Sequence, residues 1–219
     1  LPPDNYQEQP VEVIAHRTSP TNIGLSLLAN LTAHDFGYIS GGALIERTAL
    51  AFRTMESLER YHGHFYNWYE TKTLRPLPPL YISTVDSGNL AGHLLTLGPG
   101  LLALCSEPIL DGGVFEGLND TLGILLESLG PAMPSGLEQL RMDLAASGGC
   151  SPASLGQSYS QLVHVAESAA ALAGGLEDGE ALEWANTFVR QCEGILDEVR
   201  YLAPWVSTPA VISPSAAFP

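Results

Sequence analysis

Apolar residues recur at three- and four-residue spacing through most of the chain, the periodicity of amphipathic helices packed on one side. Ile23, Leu27, Leu28 and Leu31 share one face of a helix predicted from Pro20 to about Phe36. Its start is marked by a capping hydroxyl, Ser19, before a proline at the first helical position, and its stop by Gly37. Leu44, Thr48, Phe52, Met55 and Leu58 predict a second helix over about 42–61, ended by Gly63. Leu90, Leu94, Leu97, Leu101 and Leu104 predict a third between Thr84 and Glu107, with Pro99 expected to kink it or end it early. Further helices are predicted at about 114–129, 135–146, 152–173 and 178–202, the third of these opened by Ser151-Pro152. The last carries the clearest stripe, from Leu182 through Val189, Cys192 and Val199 to Leu202, and Pro204 stops it.

Residues 64–83 break this pattern. Pro76, Pro78 and Pro79 exclude a helix interior, while Tyr66, Trp68, Tyr81 and Ile82 favour extended backbone. An excursion of this length between two helices is usually functional. About seven helices with almost no strand predict an all-α fold. Helical hairpins in sequence order suit a bundle, a solenoid or an α/α toroid, and the lack of a TPR- or HEAT-type repeat makes the solenoid the weaker option. After Trp205 the chain becomes rich in Pro, Ser and Ala, so one helical domain over 1–205 with a frayed tail at 206–219 is expected.

The composition narrows the partners. With 219 residues and 45% apolar content a core needs no staples. The formal charge of -15, with Lys72 the single lysine, repels a phosphate backbone and an anionic membrane surface, but is indifferent to a neutral glycan. Cys105, Cys150 and Cys192 are widely spaced and lack a C-x-x-C pairing, so each reads as a small buried hydrophobe and no metal site is expected. The apolar run around Leu94 to Cys105 is interrupted by Gly98-Pro99-Gly100, which predicts a stretch too short to span a bilayer, no direct membrane contact and a soluble segment. The chain opens at Leu1-Pro2-Pro3 without a methionine or signal peptide, as expected of a piece of a longer protein. No G-x-S-x-G, P-loop or G-x-G-x-x-G occurs, so no nucleotide or other cofactor is expected.

Three clusters carry candidate chemistry. His64-Phe65-Tyr66-Asn67-Trp68-Tyr69-Glu70-Thr71 sets four aromatic rings beside an amide, a carboxylate and an imidazole. Pyranose rings offer apolar C–H faces to Tyr and Trp, and hydroxyls to groups such as Asn67 and Glu70; the plain alternative is that these aromatics are core. His16-Arg17-Thr18-Ser19-Pro20-Thr21-Asn22 gathers polar groups at a helix start, where Arg17 beside His16 and Asn22 can hold hydroxyls or a carboxylate, or where the segment is simply a solvated cap. Asp86, in Thr84-Val85-Asp86-Ser87-Gly88-Asn89, stands at another helix start, with capping as the plain alternative. Glu70 and Asp86 are the acidic residues embedded in this polar and aromatic region and would be the pair of a self-contained glycosidase. His62 and His64 would point to one side of an extended strand, but no third ligand is near. The remaining acidic residues, such as Glu177 and Asp197, read as a solvated helix face.

Leu1-Pro2-Pro3-Asp4-Asn5-Tyr6-Gln7-Glu8, His16 to Leu25, Gly63 to Tyr69 and Val85 to Leu94 together resemble the bacterial cyclic β-1,2-glucan synthases. The resemblance is carried by residues 1–95, with helical pattern and Leu202-Ala203-Pro204-Trp205 continuing it. It implies the start of the middle region of a very large inner-membrane protein. That region cyclises linear β-1,2-glucan by transglycosylation and has a glucoamylase-like α/α toroid. This segment would be soluble and cytoplasmic-facing, would have the remaining domains of the synthase as partners, and would use no cofactor. The catalytic glutamates would lie beyond Pro219, so no catalytic residue is expected in this chain. His16, Arg17, Thr18, Asn22, Asn67, Trp68, Tyr69, Asp86, Ser87 and Asn89 would surround the sugar-binding mouth, Trp68 and Tyr69 as stacking platforms and Asn67, Asp86 and Asn89 as hydroxyl partners. A helical scaffold without ligand is the remaining alternative.

Overall fold

In the computed structural model, residues 1–130, 137–148 and 154–207 are described. Seven α-helices and a few two-residue or three-residue strands make up the described residues, so the fold is all-α as the periodicity predicts. The chain divides into two compact units, one of Leu1–Asp35 with Gly41–Glu107, the other of Phe36–Ser40 with Pro108 onward.

In the first unit a hairpin of β1 (Asn5–Gln7) and β2 (Val13–Ala15) precedes β3 (Arg17–Thr18), α1 (Pro20–Asp35) and α2 (Gly41–Ser57). The excursion follows as β4 (Arg60–Tyr61), β5 (His64–Phe65) and β6 (Tyr69–Glu70), and α3 (Thr84–Ala103) closes the unit. The expected boundaries of α1 hold because its signals are local. Ser19 Oγ accepts the Asn22 N–H at 3.2 Å, and Gly37 takes a φ of 72° just past the end. α1 packs on α3 and α2, burying Ile23, Leu27 and Leu31 together with Leu44, Leu90 and Leu97. The approach of α1 to α3 depends on glycine: a Cβ on Gly24 would collide with the His93 ring, and one on Gly100 with Leu31.

Two expectations are corrected here. The second helix stops at Ser57, not near Tyr61, because His62 and Gly63 both adopt positive φ and form the two-residue turn of a hairpin in which Arg60 pairs Phe65. That is the φ pattern a tight hairpin turn requires, so Gly63 shapes a turn and does not end a helix. His62 lies in this turn, and the two histidines therefore do not share one strand. Pro99 does not end α3, which continues to Ala103 and then a 3-10 turn at Leu104–Ser106. The expected interruption of the apolar run is absent: among the described residues, Thr84–Ser106 is long and apolar enough to cross a membrane by length and composition alone.

The second unit comprises α4 (Gly112–Leu129), α5 (Leu137–Gly148), α6 (Leu155–Ala173) and α7 (Glu180–Leu202). α7 lies against both α4 and α6, and its stripe of Phe188, Cys192, Ile195 and Val199 fills the core with Phe115, Leu118 and Leu122 of α4 and Leu162 of α6. Burial pushes the Cys192 thiol up to about 12, as suits an inert core residue. Cys105, by contrast, is exposed, which corrects its expected burial; Cys150 lies outside the described residues. So does the expected Ser151-Pro152 start of the sixth helix, whose N-cap among the described residues is Ser154, accepting the Gln157 N–H. Of the expected tail at 206–219, Val206 and Ser207 belong to a 3-10 turn at Pro204–Ser207, and the remainder lies outside the described residues.

Segment Phe36–Ser40 is fastened to this unit by backbone proximity. Gly117 of α4 passes directly under the carbonyls of Phe36 and Gly37. Gln191 of α7 donates to the Gly37 carbonyl at 2.8 Å while accepting from Thr121 Oγ1 at 2.7 Å. Two glycines of one helix therefore predict opposite outcomes. Gly117→Ala puts a methyl into rigid backbone and should cost about 1–3 kcal/mol. Gly123→Ala meets open space and should gain about 0.5–1 kcal/mol from helix propensity. Urea unfolding of both variants measures the pair.

Candidate functional site

The polar clusters of the first unit meet through a short antiparallel pairing. β3 lies against β6 with Arg17 opposite Glu70 and Thr18 opposite Tyr69, and the Thr71 N–H extends the ladder to the His16 carbonyl at 3.1 Å. Alternation along a strand then sorts the side chains. Thr18 and Tyr69 turn inward and are both 0% exposed, while Arg17 is exposed and Glu70 half-buried. His16 is half-buried, with Nδ1 3.3 Å from the Thr71 hydroxyl.

Arg17 is held in place from the N-terminal end. Its Nε and Nη2 donate to Asp4 Oδ2 at 3.0 and 2.9 Å, and Asn22 Nδ2 donates to Asp4 Oδ1 at 3.0 Å. The Asn22 bond, joined by the Arg17 bond and charge, outweighs the opposing effect of burial and holds the Asp4 carboxyl below its ordinary range. So fixed, the guanidinium lies 4.6 Å from the centroid of the Trp68 ring and occupies one face of the indole.

The opposite edge of Trp68 is set by Asn67. This buried amide satisfies all its neighbours in one orientation: its nitrogen donates to Asp86 Oδ2 at 2.9 Å, and its oxygen accepts from Trp68 Nε1 at 2.7 Å and the Tyr81 hydroxyl at 2.6 Å. Asp86 sits in the first turn of α3, where Ser83 is the N-cap and accepts the Asp86 N–H at 3.1 Å. Its carboxylate accepts from Ser83 Oγ at 2.6 Å and from Thr21 Oγ1 at 2.7 Å, and Thr21 in turn accepts from Asn89 Nδ2 at 3.1 Å. Capping and convergence are thus one arrangement, joining the start of α1, the start of α3 and the excursion.

This geometry divides the candidate residues. Arg17, Asn89 and half-buried Trp68, with Asn22 and His16 beside them, are reachable by a solute. Tyr69 is not: its ring is buried and its hydroxyl donates to the Glu59 carbonyl at 2.7 Å while accepting the Tyr66 N–H at 2.8 Å, so the expected stacking role is corrected to a core one. Thr18 is corrected likewise, since its buried hydroxyl cannot meet a ligand. Ser87 Oγ donates to the Ser83 carbonyl at 2.8 Å, within its own helix. Asn67 and Asp86 act on one another and on Trp68, as positioning groups. Asp4, Ser19, Thr21, Tyr81 and Ser83 belong to the same constellation without having been named as site residues; for Ser83 the hydroxyl three residues before Asp86 was the available signal.

Neither carboxylate has the environment of a general acid, which must keep its proton near neutral pH. Burial alone would raise the Asp86 pKa, but hydroxyl donors from Ser83, Thr21 and Ser19 outweigh it and the net shift is downward. For Glu70 burial is again outweighed, by the N–H groups of Lys72 and Thr73 at 3.0 and 2.6 Å, and its pKa is also lowered. Among the described residues no group of three or more His, Cys, Asp or Glu is arranged to hold a metal ion.

Asp86→Ala should lower stability by about 2 kcal/mol, since it strands the Asn67 amide and two hydroxyls. A carboxyl whose folded pKa is depressed stabilises above its unfolded value near 4 and loses that effect as pH falls through the folded value. The gap between wild type and variant should therefore be flat from about pH 5 to 8 and shrink below about pH 4, measured by denaturant melts across that range.

No protein-family model matches the chain. Over 130 residues, 59% of the chain, it is 44% identical to the cyclic beta-(1,2)-glucan synthase NdvB of Rhizobium meliloti (strain 1021). The matched stretch spans about 5% of that relative's length. At this identity over more than half its residues, the chain stands in a family relationship with the cyclic β-1,2-glucan synthases.

Proposed function

We propose that this chain is a glucan-gripping part of a cyclic β-1,2-glucan synthase, and that its first unit binds linear β-1,2-glucan for cyclisation by transglycosylation. The observation that carries the reading is Trp68: a half-buried indole with one face covered by Arg17 and its N–H fixed by a buried amide. A ring held this firmly presents its remaining apolar surface without paying to order itself on binding, which is what a stacking platform for a pyranose requires. Arg17, Asn22 and Asn89 supply donors around it for sugar hydroxyls. The net charge of -15 fits an uncharged polymer and disfavours a polyanion.

The reacting carboxylates of the cyclisation step belong to other parts of the synthase in this reading, because Glu70 and Asp86 are engaged in local hydrogen bonds and lack a raised pKa. The helical hairpins would then be one portion of a larger α/α toroid, facing the cytoplasm of a bacterium whose inner membrane anchors the parent protein. The relationship to a glucan synthase and the sugar-like chemistry around Trp68 support the proposal from independent directions.

Calorimetric titration of the chain with linear β-1,2-glucan should show saturable binding. Trp68→Ala should weaken it by on the order of 1 kcal/mol or more, about five-fold upward. Equal binding by wild type and variant would return Trp68 to a packing role.

A further inference from the structure

Tyr81 lies outside the three clusters that the sequence marks, in the proline-rich stretch before α3, yet its side chain ends at the centre of the constellation. Its hydroxyl donates to the Asn67 amide oxygen at 2.6 Å, the same atom that accepts the Trp68 indole N–H at 2.7 Å. Its carbonyl accepts the Asn67 N–H at 2.9 Å, so the two residues are tied through both backbone and side chain. The polar tip of the phenol is thereby anchored on a buried group, while the residue as a whole remains 46% exposed. A tyrosine whose hydroxyl is satisfied internally and whose ring body is left in solvent is an unusual use of a large apolar surface.

We infer that Tyr81 is a second stacking platform, taking the sugar unit next to the one on Trp68. The inference rests on the glucan-binding reading and extends it to chain length. Two ring tips that donate to one oxygen atom are brought to one place, the relation that neighbouring units on one polymer need and two separate sites do not have. Asn67 is then a positioning residue for both rings, and its own near-complete burial keeps it from competing for sugar hydroxyls. A single glucose unit can use one platform only. Linear β-1,2-linked oligosaccharides of two or more units can use both, so Tyr81 sets a preference for chain over monosaccharide.

The test is calorimetry on the whole chain with glucose and with linear β-1,2-gluco-oligosaccharides of increasing length, for wild type, Trp68→Ala, Tyr81→Ala and Tyr81→Phe. Tyr81→Ala should weaken oligosaccharide binding about two- to ten-fold and remove part of the gain from the added sugar unit. Tyr81→Phe keeps the platform and loses the bond to Asn67, and should retain most of the affinity. Near-ultraviolet circular dichroism of each variant reports whether the fold survives. Wild-type affinity in Tyr81→Ala, with binding still lost in Trp68→Ala, overturns the inference and leaves the glucan-binding reading standing. Equal losses in the Phe and Ala variants overturn it too, since Tyr81 would then act through Asn67 alone. No binding by wild type at any length contradicts the underlying reading itself.

Discussion

The first unit is organised around one partly buried negative charge. An ionised carboxylate withdrawn from water has to be met by donors, and Asp86 meets its own from three places in the chain: Thr21 at the start of α1, Ser83 at the cap of α3, and Asn67 in the excursion. The separation in sequence between Thr21 and Asp86 is 65 residues, so the bond fixes the start of one helix against the start of another. The same carboxylate orients Asn67, Asn67 orients the Trp68 and Tyr81 ring tips, and the exposed aromatic surface inherits its geometry from that partly buried charge. Packing makes this possible from below, where Gly24 and Gly100 let α1 and α3 approach within side-chain contact of His93 and Leu31.

From the other side, Trp68 is confined by Arg17, whose guanidinium is pinned by Asp4 and, through it, by Asn22. An exposed ion pair of this kind contributes little to stability. Its consequence is steric and electrostatic: one indole face is taken, and donors are concentrated at its border. In the proposed reading this arrangement would grip a neutral, hydroxyl-rich ligand without supplying a proton, since both nearby carboxylates are held on the ionised side of their usual range.

Much of this was legible in the sequence where the signal was local. Ser19-Pro20 and Gly37 bracket α1 within a residue because caps act through adjacent backbone groups, and the long stripe of α7 persists for six turns. Gly63 misled because residues 58–61 continue a helical pattern, whereas the cross-strand pairing of Arg60 with Phe65 is a tertiary choice. The sequence around Pro99 predicts a kink or an early end, but α3 continues past it to Ala103, because an exposed, late position tolerates the lost hydrogen bond. The three polar clusters were visible as residue types, but their meeting was not, because β3 and β6 lie some fifty residues apart. Strand alternation, had the pairing been foreseen, would have separated Arg17 from Thr18 and Tyr69 from Glu70. Tyr81 stayed hidden because its role depends on which way one amide faces.

The most direct measurement of the central claim is the indole N–H resonance of Trp68 in a nuclear magnetic resonance titration with linear β-1,2-glucan. The chain has three tryptophans, Trp68 in the first unit and Trp184 and Trp205 in the second, so the signals report separate places. Because the Trp68 N–H is bonded to Asn67 at the edge of the proposed platform, its resonance should move saturably while those of Trp184 and Trp205 stay in place. A Trp68 signal that does not respond, or three signals that drift together without saturation, would contradict the account.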